Sequence, residues 1–233
     1  MARIGHGYGS EWHLLRWMGR HRRKFDERVL EALGREGARM EWEDFRLVKH
    51  RRMFQDAELK GVEFLDPAKY GALHDAWKGF WPQTGNAMNW DAVGWIVGPR
   101  GKRELLLVEA KAQTKEIESS CGAKAAGRTK IVKALGEVKS ALGVPEQADW
   151  LSGYYQKANR IAAVWFLNKH GVTTHLLDLH FCGDHRTKAE CPKDESGWKT
   201  ALAKQEAHLM LPSKHALSGK LHRMFLSVVG DIP

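Results

Sequence analysis

Two hydrophobic segments near the middle of the chain have the composition of β-strands. WDAVGWIV, residues 90–97, and RELLLVEAKA, residues 103–112, are rich in aliphatic and β-branched side chains. The five residues between them, GPRGK, carry the glycine and proline that are typical of a turn. The pattern therefore predicts two antiparallel strands joined by a short turn.

The first third of the chain is mainly helical in its pattern. Residues 10–36 predict one bent helix or two consecutive helices, with Ser10 as the N-cap. Residues 66–81 predict a further helix with Pro67 near its first turn, where proline is well tolerated. Between these helices, residues 38–48 predict a strand.

The second half of the chain alternates between helix and strand. Residues 128–143 place their apolar side chains on one helical face and stop at Gly143. Residues 154–171 are apolar nearly all round in their middle, which predicts a buried helix. Residues 173–183 predict a strand that is apolar on both faces, as in a sheet covered by helices. From about Gly197 the pattern suggests two short helices.

The middle of the chain thus reads strand, strand, helix, strand, which is the order of an α/β sandwich. A length of 233 residues fits one domain with a substantial core. We expect the core over about residues 88–182, with the N-terminal helices at 10–36 and a helical C-terminal addition at 196–228.

Charged residues interrupt the second predicted strand. Side chains alternate along a strand, so Glu109 and Lys111 share one face with Leu107, and Ala110 points to the other. Asp91, on the first strand, shares the face of Glu109 only if paired residue numbers sum to an even value, such as 200 or 202. We predict this even register. An odd register, with Asp91 opposite Ala110, would put the carboxylates on opposite faces.

Two carboxylates held close together in a half-buried place repel each other unless one is protonated or a cation lies between them. Mg²⁺ or Mn²⁺, which prefer oxygen ligands, would suit Asp91 and Glu109. Lys111 could then assist an attacking water and stabilise negative charge on a phosphate. This combination favours phosphodiester hydrolysis. The alternative is a cross-strand ion-pair cluster of the three residues, although burying three charges is costly unless they pair well.

Asp91 followed by Glu109-Ala110-Lys111, on two strands that precede a helix and a strand, resembles the PD-(D/E)XK nuclease superfamily. The resemblance implies a restriction-endonuclease-like αβββαβ core, with a mixed central sheet flanked by helices. It also implies a metal-dependent nuclease in which Asp91, Glu109 and the carbonyl of Ala110 bind the metal and Lys111 is catalytic. Trp90 stands where the family name has proline.

Two further residues are similar to auxiliary residues of this superfamily. Glu11 matches a glutamate that some members add to the metal site from the first helix, and Gln156 matches a polar residue on the helix after the lysine strand. Each has a simpler interpretation. Glu11 is a favourable charge in the first turn of a helix, and Gln156 is an ordinary polar residue of a helix surface.

The charge of the chain points to a polyanionic partner. Lys and Arg number 37 against 28 Asp and Glu, so the formal net charge is +9. This favours nucleic acid, and the family resemblance favours DNA over RNA. Candidate nucleic-acid contacts are Lys115, Lys124, Arg128, Lys130 and Trp90. A nucleic-acid-binding module without catalytic activity would share this basic surface, and homo-oligomerisation is compatible with it.

The three cysteines do not form the dense pattern of a secreted disulfide framework, which favours the cytoplasm. No apolar stretch approaches the roughly 20 residues that span a bilayer, and the first residues lack a signal-peptide core. Cys182, His185 and Cys191 suggest a zinc site only weakly, because paired Cys-x-x-Cys spacing is missing. Cys121 has no identifiable base for nucleophilic chemistry.

Overall fold

The computed structural model describes residues 8–50, 53–83, 88–184 and 191–229. The helices of this described part are α1 (Ser10–Arg20), α2 (Arg22–Ala32), α3 (Pro67–Phe80), α4 (Ala125–Leu142), α5 (Tyr155–Lys169) and α6 (Glu195–Leu209), with a 3₁₀ turn at Thr114–Ile117. The strands are β1 (Arg39–Trp42), β2 (Arg46–His50), β3 (Met53–Ala57), β4 (Leu59–Lys60), β5 (Asn89–Trp90), β6 (Ala92–Val97), β7 (Arg103–Lys111), β8 (Thr174–Cys182) and β9 (Leu221–Ser227).

The central sheet has five strands in the order β1-β6-β7-β8-β9. β6 is antiparallel to both β1 and β7, whereas β8 runs parallel to β7 and β9 runs parallel to β8. Two small antiparallel pairs, β2-β3 and β4-β5, lie outside this sheet. The predicted α/β class with a mixed central sheet flanked by helices is therefore confirmed.

The sheet separates two hydrophobic layers, and β7 contributes to both. Leu105 and Leu107 pack in the layer that contains α3, α4, α5 and α6. Leu106 and Val108 pack in the other layer, against α1 and α2. This alternation, predicted from the strand period, determines which side of the sheet each charged residue at the end of β7 can reach.

Most predicted helices form for the reason their pattern indicated. The apolar face of α4 is buried against the sheet, and the helix ends at Gly143, whose φ of 71° is easily adopted only by glycine. α5 is buried along most of its length, as its nearly continuous apolar sequence indicated. The N-terminal segment forms two consecutive helices that break at His21.

Three details of the prediction are wrong. Gly9, not Ser10, is the N-cap of α1, and no side-chain cap hydrogen bond forms there. The strand predicted at residues 38–48 is two strands, β1 and β2, which belong to different sheets.

The second C-terminal helix is instead the strand β9. It lies parallel to β8 at the edge of the central sheet, with Met224 and Leu226 buried two residues apart. This spacing is the strand period, which in a segment of seven residues is hard to separate from a short helix. The addition at residues 196–228 is therefore helix followed by strand.

Candidate active site

The register of β6 and β7 brings the predicted acidic residues together. Ala92 pairs with Val108, so paired numbers sum to 200 and the even register is confirmed for the paired residues of β6. The ladder begins at Ala92 and does not include Asp91. Asp91 lies immediately before β6, and its backbone N–H donates to the Val108 carbonyl at 3.2 Å. Its Oδ2 accepts a hydrogen bond from the Ala110 N–H at 2.6 Å. The carboxylate of Asp91 is thus held against the backbone at the end of β7, near enough to Glu109 for their charges to interact.

Glu109 is buried and bonded to two cations. Lys111 Nζ donates to Oε1, and Arg160 Nε donates to Oε2 at 2.6 Å. Burial pushes the pKa of Glu109 upward, but the charges of Arg160 and Lys111 outweigh it and hold the pKa below its usual value. Glu109 therefore remains an ionised carboxylate.

Asp91 is in a different electrostatic position. Within the described residues it has no ion-pair partner, and its carboxylate is held by the Ala110 N–H. Burial, followed by the negative charge of Glu109, raises the pKa of Asp91 to about 8, against the opposing effects of Lys111 and the Ala110 N–H. Asp91 is thus a half-buried acid whose ionised form lacks a sufficient counter-charge.

Lys111 lies within electrostatic reach of both acids. Burial alone would lower its pKa, but Glu109 and then Asp91 raise the pKa above its usual value. Lys111 is therefore a cation, and the structure brings Asp91, Glu109 and Lys111 into one cluster at the end of the strand pair.

Two small cavities lie around this cluster. The first, of about 40 Å³, is lined by Asp91 together with Glu11 of α1 and two exposed acidic residues, Asp56 and Glu58. The second, of about 20 Å³, is lined by Glu109, Lys111, Gln156, Lys157, Arg160, Asp178, Gln205, His180 and Ile117. The structure thus places Glu11 beside Asp91, and Gln156 beside Glu109 and Lys111.

Several charged residues of the site were not identified from the sequence. Arg160 is only 5% exposed and binds Glu109, and Asp178 pairs with Lys157 one strand away. Asp178 is aligned with Glu109 in the parallel β7–β8 register. The signal for Asp178 was the same as for Glu109, a carboxylate inside an apolar strand. Arg160 and Lys157 lie three residues apart on α5 and so share a helix face.

His180 completes the second cavity. It is aligned with Lys111 in the β7–β8 register and is 3% exposed. Burial lowers the pKa of His180 to about 4, so the ring is neutral near pH 7. Its Nδ1 has no hydrogen-bond partner among the residues that the structure describes.

The candidate nucleic-acid contacts have different positions. Lys115, Lys124 and Arg128 are exposed on the segment that follows β7 and on the start of α4, and Lys115 pairs with Glu118 at 3.0 Å. Lys130 donates to the Lys78 carbonyl, and it lines a cavity with the C-terminal end of α5, far from Gln156 at the other end. Contact of these residues with nucleic acid stays a prediction.

The prediction that Trp90 contacts a base or a sugar is wrong. Trp90 is fully buried, its indole N–H donates to the Gly61 carbonyl at 2.8 Å, and the Arg160 guanidinium stacks over its ring at 4.8 Å. A ring enclosed in this way cannot stack on a nucleotide. The ring instead packs against Arg160.

In the described part of the chain, no group of three or more His, Cys, Asp or Glu residues is arranged to hold a metal ion. The carboxylate oxygens at the cluster are those of Asp91 and Glu109, and the Ala110 carbonyl stays a predicted third ligand. Of the weak zinc candidates, Cys182 is buried, Cys191 is half-buried and His185 lies outside the described residues.

Comparisons with known proteins identify no relative: no family model, no curated protein and no solved structure matches the chain. Among the described helices, none is long and apolar enough to cross a membrane.

Proposed function

We propose that this protein is a divalent-metal-dependent phosphodiester hydrolase of the PD-(D/E)XK type, acting on DNA as an endonuclease or exonuclease. The observation that carries the proposal is the cluster of Asp91, Glu109 and Lys111 at the end of two neighbouring strands, where Asp91 accepts from the Ala110 N–H and the charges of the two acids interact. The element order is compatible with it, since α2, β1, β6, β7, α5 and β8 occur in the αβββαβ order, with β2 to β5 and α3 inserted after β1 and α4 inserted before α5.

The donor set fits Mg²⁺ or Mn²⁺. Asp91 and Glu109 offer carboxylate oxygens and Ala110 offers a carbonyl, and Mg²⁺ commonly uses one or two carboxylates and keeps several of its own waters. The carboxylate of Asp91 has no cation partner in the described residues, and a divalent cation would supply one. The pKa of Asp91 is raised for the same reason, because no cation balances the charge of its ionised form sufficiently. Glu11, in the cavity beside Asp91, could add a further oxygen.

Each residue has a role in this proposal. Asp91, Glu109 and the Ala110 carbonyl would hold Mg²⁺ or Mn²⁺, which would supply Lewis-acid polarisation of a phosphoryl oxygen. Lys111 holds a positive charge beside the reacting phosphate and orients the attacking water. Gln156, on the other side of Glu109, completes the pocket. The net charge of +9 attracts the polyanionic substrate.

Substitution of single residues tests the proposal. We expect Asp91→Ala and Lys111→Ala each to lower Mn²⁺-dependent DNA cleavage by at least about a hundredfold, the effect of removing one positioned catalytic group. Lys199→Ala is the matched control, because it removes the same charge from an exposed site on α6. Equal cleavage by wild type and Lys111→Ala would refute the assignment.

A second candidate function has one specific observation in its favour. Both oxygens of Glu109 already bind cations, Lys111 and Arg160, as they would in a structural ion-pair cluster or in a nucleic-acid-binding module without activity. The structural alternative predicts no heat when Mn²⁺ is titrated into the protein. The binding module predicts salt-sensitive DNA binding without cleavage at any Mn²⁺ concentration.

A further inference from the structure

The two cations bonded to Glu109 are held in very different ways. Lys111 binds Oε1 and Arg160 binds Oε2. Any cation that Glu109 ligates must therefore replace, or share an oxygen with, one of these two side chains. The contacts of each side chain indicate which of the two a metal ion would displace from Glu109.

Arg160 is fixed from several directions. Its guanidinium lies over the ring of Trp90 at 4.8 Å, and its Nη1 donates to Asn159 Oδ1 at 2.8 Å. Trp90 is itself fully buried and anchored to the Gly61 carbonyl. Arg160 starts from α5, a buried helix, so both its backbone and its planar head are constrained. Moving it from Glu109 would break each of these contacts.

Lys111 is held less firmly. It is the last residue of β7, its side chain is 14% exposed, and its ion pair among the described residues is the one with Glu109. Its flexible four-carbon stem can turn without moving the strand. The second acid, Asp91, lies within its electrostatic reach and offers a nearby alternative.

We propose that Arg160 is a positioning residue that keeps Glu109 oriented for metal binding, while Lys111 is the exchangeable counter-ion that Mg²⁺ or Mn²⁺ displaces from Oε1. This inference rests on the proposed hydrolase function, because it assigns roles around the same metal. Trp90 and Asn159 hold Arg160 in place, and so affect the metal site indirectly. Lys111, once displaced, is free to bind the phosphate of the substrate.

Replacing Arg160 and replacing Lys111 should have opposite effects on the affinity for Mn²⁺. Arg160→Gln should weaken Mn²⁺ binding by about ten- to a hundredfold, the usual effect of losing a group that orients a metal ligand. Lys111→Gln should bind Mn²⁺ at least as tightly as wild type, and up to about tenfold more tightly, because a like charge has been removed. Arg160→Lys should stay as weak as Arg160→Gln, since an ammonium cannot stack on Trp90 and bond Asn159 at once.

Titration calorimetry with MnCl₂ and the purified full-length variants measures these affinities without any turnover. Lys199→Gln, which removes one positive charge from an exposed site on α6, is the matched control and should bind as wild type does. If thermal unfolding in a chelator shows that Arg160→Gln does not fold, Asn159→Ala replaces it, with an expected loss of about fivefold.

The possible failures can be told apart. No Mn²⁺ binding by wild type would overturn the proposed function and this inference with it. Wild-type binding that is retained in Arg160→Gln, or in Asn159→Ala where that variant replaces it, would overturn the inference alone. Equal weakening in Lys111→Gln and Arg160→Gln would also overturn it, because the two cations would then be equivalent.

Discussion

Replacing Asp91 by asparagine should stabilise the metal-free protein. Burial and the neighbouring Glu109 raise the pKa of Asp91 from 3.8 to about 8, so folding disfavours its ionised form. Asparagine is neutral and of the same shape, and its amide oxygen can still accept the hydrogen bond from the Ala110 N–H. The substitution therefore removes an electrostatic cost and keeps the local geometry.

The size of this effect follows from the pKa. The unfolded pKa of 3.8 lies roughly three units below pH 7. At about 1.4 kcal/mol per unit, the cost of keeping Asp91 in the folded protein at pH 7 is at most about 4 kcal/mol. Asp91 is only half-buried, so access of water reduces the expected gain in the free energy of unfolding to about 1–3 kcal/mol.

The dependence on pH has a defined sign. Because the folded pKa of Asp91 lies above the unfolded value, its contribution to wild-type stability is fully present below pH 3.8 and is lost as the pH rises toward about 8. The asparagine variant lacks this loss. The stability difference between variant and wild type should therefore grow from about pH 4 to about pH 8.

Urea unfolding in the presence of a chelator, at several pH values, measures the difference. Asp178→Asn is the matched control, because Asp178 is a carboxylate on the neighbouring strand that pairs with Lys157. Leaving that lysine unpaired should cost about 3–5 kcal/mol. If Asp91→Asn destabilises the protein as Asp178→Asn does, Asp91 is a satisfied member of an ion-pair cluster, and the reasoning is refuted.

Two further predictions concern the fold. Gly94→Ala should lower the free energy of unfolding by about 1–3 kcal/mol, because the added Cβ would lie 2.9 Å from Trp42 and 3.1 Å from Met40. A decrease of less than about 0.5 kcal/mol, measured by urea unfolding, would contradict this packing. Burial lowers the pKa of His175 from 6.5 to about 4, so its contribution to stability is present above pH 6.5 and is lost as the pH falls toward 4. His175→Gln should therefore lose less stability on acidification than wild type, and parallel unfolding curves from pH 7 to pH 4 would argue against a buried neutral ring.

The strand pair and its charges were predictable from the sequence because strand geometry is local. A period of two residues places Glu109 and Lys111 on one face whatever surrounds them, and a short turn limits the register and so brings Asp91 to the same end of β7. Charge within an apolar strand is a visible anomaly, and this anomaly identified the cluster.

The residues that were missed depend on how distant elements pack. Arg160 lies in a helix whose sequence indicated only burial, and its contact with Glu109 arises because α5 packs on the face of the sheet that Glu109 shares. The burial of Trp90 likewise depends on Gly61 and α5, which no local pattern connects to it. The strand β9 forms because β8 offers it a pairing edge. The sequence of these seven residues alone does not distinguish a strand from a short helix.

The most direct test of the central claim is incubation of the purified protein with linear DNA, circular DNA and RNA, with Mn²⁺ or with a chelator, analysed on one gel. We expect DNA to be cleaved with Mn²⁺, to remain intact with the chelator, and to remain intact with Asp91→Ala under both conditions. Intact substrates in every wild-type lane, or cleavage that persists in the chelator, would contradict a metal-dependent phosphodiester hydrolase built on Asp91, Glu109 and Lys111.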